Sequence, residues 1–332
     1  MTKLSITSKL KGKKNLLAFS AGGDSTALFF LLLENGVSFD IAIVDYGIRQ
    51  QSKEEVSYAK KLAKTYNLKC YIHQASHITN NFEKNAREIR YDFFTKIIKT
   101  NSYETLLTAH HLGDRFEWML MQFCKGAGCV EMAGMKQEEK RDFFTLFRPL
   151  LQLDKSELLE YLNLKNIKYF EDETNQDESI KRNFFRHNYT KELLEKHLNG
   201  IKKSFSYIDE DRAILIPDVE VSHIGLLSYF KNQNSPRVNI FYIDKILKAK
   251  GYMVSQKERE ILKSQKTFVV GRKFVINQDK SYIFIVPYLD AKAIPKEFKE
   301  ICRELKIEPK LRYFFYENQD VLRDLQFNSI YI

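Results

Sequence analysis

The stretch Asn15-Leu16-Leu17-Ala18-Phe19, mainly apolar, runs straight into Ser20-Ala21-Gly22-Gly23-Asp24-Ser25. Thr26-Ala27-Leu28-Phe29-Phe30-Leu31-Leu32-Leu33 follows and reads as a buried helix. A strand, a turn of small residues and a helix in that order make an anion site. The turn leaves N–H groups without partners, and the helix N-terminus adds partial positive charge. Gly22 and Gly23 let the backbone approach a ligand closely. Ser20 and Ser25 add hydroxyl donors. Asp24 would repel a phosphate unless a cation lay between them, which suggests a Mg²⁺-bound nucleotide. No Gly-Lys-Ser/Thr follows the glycines, so a Walker A loop is excluded. The same residues also suit an ordinary strand–turn–helix corner with an N-capping serine.

The first half of the chain alternates strands and helices. Phe39–Asp45 reads as a buried strand, Leu68–Gln74 as a third, Tyr103–Ala109 as a fourth and Phe143–Phe147 as a fifth. Between them, Ser52-Lys53-Glu54-Glu55 reads as a capping box opening a helix to about Tyr66. Asn81 is expected to cap a helix from Phe82 to about Lys99, and Asp154-Lys155-Ser156-Glu157 to open one to about Leu164. Such alternation predicts an α/β fold, a doubly wound, mainly parallel sheet with helices on both faces. Ligands of such sheets sit at the carboxyl ends of the strands. The Ser20–Ser25 loop, Asp45 and the corner at His110–Asp114 all fall there.

The 332 residues suggest two domains. The pattern changes after about Ser204, so the expected division is 1–204 and 205–332. In the second part a linker is expected through Ile216-Pro217-Asp218. A helix over about Ile240–Lys250 follows, then a capping box at Ser255-Gln256-Lys257-Glu258. Two strands, Phe268–Ile276 and Tyr282–Val286, complete a smaller α+β domain. The charge is uneven: Lys231–Lys273 holds eleven Lys/Arg against three Asp/Glu, and Lys181–Lys203 seven against two. Two basic blocks suit a polyanionic partner, and equally a surface kept soluble by lysines. No stretch of about twenty apolar residues exists, so no membrane span is expected. The N-terminus lacks the apolar core of a signal peptide. Cys70, Cys124, Cys129 and Cys302 form no Cys-x-x-Cys pair, and reduced thiols in a cytoplasmic protein are expected. A homodimer is left open.

A second constellation, Ala109-His110-His111-Leu112-Gly113-Asp114-Arg115-Phe116-Glu117, leaves the fourth strand and enters a helix. Asp114 and Glu117 are three apart and share a helix face. Two acids beside two histidines can bind a metal, bind an amine or do acid–base work. The spacing is poor for zinc. Acids in a first helical turn also serve simply to complement the helix dipole.

These residues carry a resemblance. Ser20–Ser25 resembles the Ser-Gly-Gly-x-Asp-Ser loop of the N-type ATP pyrophosphatases (the PP-loop family), with Ala21 in place of the first glycine. His110–Trp118 resembles the His-His-x-Asp-Asp-x-x-Glu-Thr motif of the tRNA(Ile)-lysidine synthetase family within that group. Gly113 replaces the first aspartate there, and Trp118 the threonine. Val44-Asp45-Tyr46-Gly47-Ile48-Arg49 is similar to the family's Val-Asp-His-Gly-Leu-Arg. Asn81–Tyr91 is similar to its Asn-x-Glu-x-x-Ala-Arg-x-x-Arg-Tyr run. Glu171–Asp177, Arg182-Asn183-Phe184-Phe185-Arg186 and Arg148-Pro149-Leu150-Leu151 match further motifs. The matches keep their order from about Leu16 to Arg186 and weaken beyond Ser204.

The resemblance implies an adenine nucleotide α-hydrolase-like fold and an ATP-dependent ligation of free L-lysine to C2 of the wobble cytidine of tRNA(Ile) with anticodon CAU. An adenylated tRNA is the intermediate, and decoding changes from AUG to AUA. It implies that Ser20, Ala21, Gly22, Gly23, Asp24 and Ser25 bind ATP, with Asp24 on Mg²⁺. Asp114 and Glu117 would hold lysine and assist its amine, with Arg182 reaching the bound lysine and His110 and His111 in support. Arg87, Arg90 and Arg186 would meet tRNA, and the second domain would add salt-dependent tRNA affinity. Two rivals remain. A PP-loop tRNA thiolase would need paired cysteines, and Cys124 and Cys129 are poorly placed for that. A catalytically silent RNA-binding protein of the same fold is motivated by the departures at Ala21, Tyr46 and Gly113.

Overall fold

The computed structural model describes residues 7–47, 51–76, 78, 80, 82–171, 180–290 and 292–327. Ile48, Arg49, Asn81 and the run 172–177 of the motifs above lie outside them. The chain forms two compact units, Met1–Arg212 and Ala213–Ile332.

The first unit opens with α1 (Thr7–Leu10), β1 (Asn15–Ala18), α2 (Gly23–Glu34), β2 (Phe39–Asp45), α3 (Gln51–Thr65), β3 (Cys70–Gln74), α4 (Phe82–Asn101) and β4 (Thr105–Leu107). It continues with α5 (Leu112–Phe123), α6 (Cys129–Met132), β5 (Glu138–Lys140), β6 (Thr145–Phe147), α7 (Lys155–Leu164), α8 (Lys181–Phe185), a π-helical turn (Arg186–Thr190) and α9 (Lys191–Leu215). The sheet order is β3-β2-β1-β4-β6-β5. All neighbours are parallel except β5, which pairs antiparallel with β6 at the edge. The strand order reverses at β1, between β2 and β4, which is where doubly wound sheets open a ligand crevice.

Alternation along β1 covers both faces. Leu17 joins Leu28, Phe29, Leu32 and Ile41 in one core, and Leu16 joins Phe94, Ile97 and Ile98 of α4 in another. Buried Asn15 fixes the strand's start: its amide donates to the carbonyls of Leu10, Lys13 and Ser38, and Thr105 donates to its oxygen. α2 is buried on nearly every side, as its unbroken apolar run requires.

Several expectations are corrected. Ser52 is not a cap; it is the second residue of α3 and is buried. β5 was not foreseen, because Glu138-Glu139-Lys140 is a polar edge strand with no apolar alternation. The boundary at 204/205 falls inside α9 and the first unit runs on to Arg212: Phe205 is buried against Phe116, Arg212 donates to the Gly134 carbonyl and Asp209 accepts from Arg115. Polar composition there marks a solvent-facing helix, and the expected linker Ile216-Pro217-Asp218 follows directly after its last residue, Leu215.

The second unit contains β7 (Val221–Ile224), β8 (Leu227–Lys231), α10 (Pro236–Ala249), α11 (Gln256–Ser264), β9 (Thr267–Val270), β10 (Phe274–Gln278), β11 (Tyr282–Pro287), α12 (Lys296–Glu304), α13 (Pro309–Glu317) and α14 (Gln319–Phe327). Its antiparallel sheet has the order β7-β8-β11-β10-β9. Phe298, Cys302, Leu311, Phe314 and Phe315 pack on one face, against Val275, Phe284 and Val286. The run Phe268–Ile276 is a hairpin and not one strand. Gly271 and Arg272 take φ of +55° and +51°, and Lys273 N–H closes on Val270 at 2.9 Å. Val270 pairs with Phe274, so three residues connect the strands, the first two of them at positive φ.

Candidate active site

The nucleotide loop is built as its residue types demand. Gly22 is the N-cap of α2, and Ser25 is inside the helix and not its cap. Ser25 Oγ donates to the Gly22 carbonyl at 3.1 Å and accepts from Ser20 N–H at 3.2 Å. The two serine hydroxyls are 3.1 Å apart. Phe170 N–H donates to the Ala21 carbonyl at 3.0 Å, tying the loop to the chain after α7. Ala21 takes φ +59°, a conformation that costs a non-glycine residue about 1–2 kcal/mol. Its methyl is wholly buried in the core under α2, and a buried carbon returns about 0.8 kcal/mol. The two effects nearly cancel, which is how alanine stands where the family has glycine. Ala21→Gly is therefore expected to change stability by less than about 1 kcal/mol in urea unfolding, with the KM for ATP unchanged.

At the next strand end, His111 is the N-cap of α5 and makes a reciprocal capping box with Asp114. Gly113 N–H donates to His111 Nδ1 at 3.0 Å, and His111 N–H donates to Asp114 Oδ2 at 3.0 Å. The departure at Gly113 is what permits this. A Cβ there would lie 2.8 Å from His111 Cε1, so the ring folds over the helix start only because residue 113 has no side chain. With Nδ1 accepting, the proton sits on Nε2, which is 3.8 Å from both Asp24 and Asp114. His111 thus joins the nucleotide loop to the acid pair.

The acids themselves are engaged. Arg182 donates to Asp114 at 2.5 Å and to Glu117 at 2.8 Å. Arg186 donates to both Glu117 oxygens, at 2.6 and 3.2 Å. Two carboxylates face two guanidiniums, and the i,i+4 spacing across α8 and the π-helical turn brings both arginines to one side. Burial pushes the Asp114 carboxyl up, but His111, Arg182, His110 and the His111 N–H outweigh it and hold the group well below the usual carboxylate range. A carboxylate held that low is a strong charge partner and a weak base. Asp24 goes the other way: burial raises its carboxyl despite His111 and Lys155. Its Oδ1 is buried with no hydrogen-bond partner among the described residues. An orphaned carboxylate oxygen beside an anion site fits a hard cation such as Mg²⁺.

His110 bonds Thr108 Oγ1 at 3.0 Å, and burial pulls its imidazole down to about 4. The unfolded chain binds this proton near the ordinary value of 6.5. Stability from His110 is therefore full above that pH and is lost as pH falls toward 4. Asp24 has the opposite sign, because its raised carboxyl takes up a proton first in the folded state. His110→Gln is expected to flatten the acid limb by up to about 3 kcal/mol, read from urea unfolding at pH 4.5 and 7.

Other expected residues are placed around this centre. Arg87 and Arg90 are exposed on α4, with Arg87 over the Tyr91 ring at 4.9 Å. Tyr46 donates to the Ala86 carbonyl at 3.0 Å and packs on Phe82, so it fixes the start of α4 to the end of β2. Lys155, near enough to lower Asp24, was read only as part of a capping box. Its position after the Asp154 cap, at a helix start facing the loop, is the signal that could have found it. Among the described residues no cluster of three or more His, Cys, Asp or Glu is arranged to hold a metal. Cys124 is exposed and Cys129 half-buried, and both thiols are free.

Comparison with known proteins bears on this arrangement. A family description of a PP-loop domain matches residues 2–193. A tRNA(Ile)-lysidine synthase of Helicobacter pylori is 45% identical over 311 residues, covering 92% of this chain and 90% of the relative. One from Campylobacter jejuni is 40% identical over 324 residues, covering 97% and 98%. One from Wolinella succinogenes is 43% identical over 316 residues, covering 95% and 96%. Among solved structures, a U34-tRNA thiolase from Methanococcus maripaludis matches with a TM-score of 0.54 at 17% identity, over 68% of this chain and 81% of that one. At that identity the likeness shows the fold alone.

Proposed function

The chain belongs to the tRNA(Ile)-lysidine synthase family, a ligase that binds ATP and makes lysidine in tRNA, and on that premise we propose that both steps of the ligation occur in the crevice between Asp24 and Asp114. The observation that carries this reading is His111, 3.8 Å from each of these acids.

In the first step the loop Ser20–Ser25 holds the triphosphate of ATP through first-turn N–H groups of α2. Asp24, with its unpartnered Oδ1, would hold Mg²⁺, which would offset phosphate charge when bound. The C2 oxygen of the wobble cytidine, in tRNA(Ile) with anticodon CAU, attacks the α-phosphorus, and pyrophosphate leaves. In the second step the neutral lysine side-chain amine attacks C2, the C2–oxygen bond breaks, AMP departs and the extra proton on the new nitrogen passes to water. Donors aimed at the phosphate oxygens stabilise the charge that develops there.

Lysine enters a cluster already balanced in charge. Its α-ammonium and α-carboxylate, inserted between Arg182 and Asp114, replace one ion pair by two, which leaves the side-chain amine for the reaction. Arg182 is the more exposed of the two arginines, and it is the one that exchanges. Asp114 then holds the α-ammonium, and Glu117 stays on Arg186. Arg87 and Arg90 on α4 meet tRNA phosphates. In the second unit, exposed Lys250, Lys257, Lys266, Arg272 and Lys273 supply salt-dependent affinity for the tRNA backbone. The four free thiols suit a reducing compartment, and the reading extends to the cytoplasm.

The test is to incubate the protein with ATP, Mg²⁺, labelled lysine and tRNA(Ile) bearing CAU. Label on the tRNA, dependent on ATP and lost when the wobble cytidine is replaced by uridine, is expected. Folded protein that binds the tRNA but transfers no label would overturn the reading, and sulfur transfer would then be assayed.

A further inference from the structure

Trp118 is the one tryptophan of the chain, and neither step above uses it. It sits one helical turn beyond Asp114 on the same face of α5 and is 42% exposed. An indole so exposed ordinarily keeps its rotamer freedom, but this one is fixed. Its Nε1 donates to the Glu131 carbonyl at 3.0 Å. Its ring lies against Gly134, where φ is +64° and a Cβ would come within 2.7 Å of the indole Cδ1.

The turn beneath the ring is pinned as well. Arg115 Nε donates to the Ala133 carbonyl at 2.9 Å, Arg212 Nη1 to that of Gly134 at 2.9 Å, and Arg148 Nη1 to that of Lys136 at 2.7 Å. Side chains from α5, α9 and the end of β6 thus hold the carbonyls along 131–136. Lys136 of the same turn is exposed and offers a cation to a phosphate. A rigid aromatic face beside a basic side chain suits an unstacked RNA base, because ordering it on binding costs almost nothing further.

We infer that Trp118 is a stacking platform for an anticodon-loop base that neighbours the reacting cytidine. This rests on the lysidine-forming reading. The step from Asp114 to Trp118 is about 6 Å along the helix axis, within the reach of one nucleotide. The ring therefore meets a neighbour of the reacting base and leaves the base itself to the crevice. A ring that only roofed the Gly134 turn would need neither its exposure nor its place on the Asp114 face.

Wild-type emission, excited on the red edge beyond tyrosine absorption, reports this residue alone. Titrating the full-length protein with tRNA(Ile) is expected to quench it, saturating together with binding measured by filter retention. Trp118→Ala is expected to raise the KM for tRNA about tenfold or more, and Trp118→Phe by less, with the KM for lysine and for ATP unchanged in both. An anticodon stem-loop abasic at the flanking position is expected to bind wild type and Trp118→Ala equally. Retained tRNA with unchanged emission would overturn the platform, as would a folded Trp118→Phe that lost only kcat and thermal stability. Quenching in a protein that transfers no lysine would instead remove the lysidine reading and leave the platform standing.

Discussion

Asp114→Asn is expected to lower lysine transfer to tRNA on the order of a thousandfold while the protein stays folded. The asparagine oxygen still accepts the His111 N–H that Asp114 caps at 3.0 Å, so the start of α5 survives. What disappears is the charge. In the wild type His111, Arg182 and a backbone N–H hold this carboxyl ionised in spite of its burial. Without it Arg182 keeps, among the described residues, its bond to Glu117, and the incoming α-ammonium loses the Asp114 carboxylate as its partner. Labelled-lysine transfer and thermal melting, measured on the same preparation, decide the matter. A folded variant with near-normal transfer would remove Asp114 from the lysine site.

Asp209→Ala is expected to cost about 3–5 kcal/mol of stability. Arg115 is wholly buried, with its guanidinium over the Phe205 ring at 4.3 Å. Asp209 takes two bonds from it, at 2.9 and 2.7 Å, and a third from Arg212 at 2.9 Å. Removing the acid strands a buried charge, whereas removing both partners does not. The pair Arg115→Met with Asp209→Leu is therefore expected to recover most of the loss. Urea unfolding of the single and double variants tests this, and a single variant within about 1 kcal/mol of wild type would show that water already neutralises Arg115. The same network pins the turn under Trp118, so the single variant is also expected to weaken tRNA binding.

Much of the first unit was legible because its signals are local. β2 matches its expected span, and the capping boxes at Asp154 and Ser255 form as read. Ser52 misled because capping-box spacing also occurs inside a first turn, where a serine is tolerated. The motifs brought Asp24, His111 and Asp114 to one crevice, since strand ends at a switch point converge whatever the loops contain. Side-chain pairing was not legible. Nothing in the spacing of Arg182 and Arg186 tells that they saturate Glu117, because the partners lie far apart in sequence. In the second unit the resemblance faded after Ser204, although the relatives align across nearly the whole chain. Its residues hold a sheet buried on both faces, a task that many apolar sequences perform equally well.

The loop between β1 and α2 contains no lysine or arginine. Its hold on phosphate comes from peptide N–H groups and a helix end, which every residue type but proline supplies. Conventional alanine scanning of Ser20 and Ser25 will consequently understate the loop, returning mild defects from a segment whose attraction, Asp24 apart, is carried by atoms the scan never removes. Its strength becomes visible only when the main chain is edited, for instance by exchanging an amide for an ester at Asp24 or Ser25.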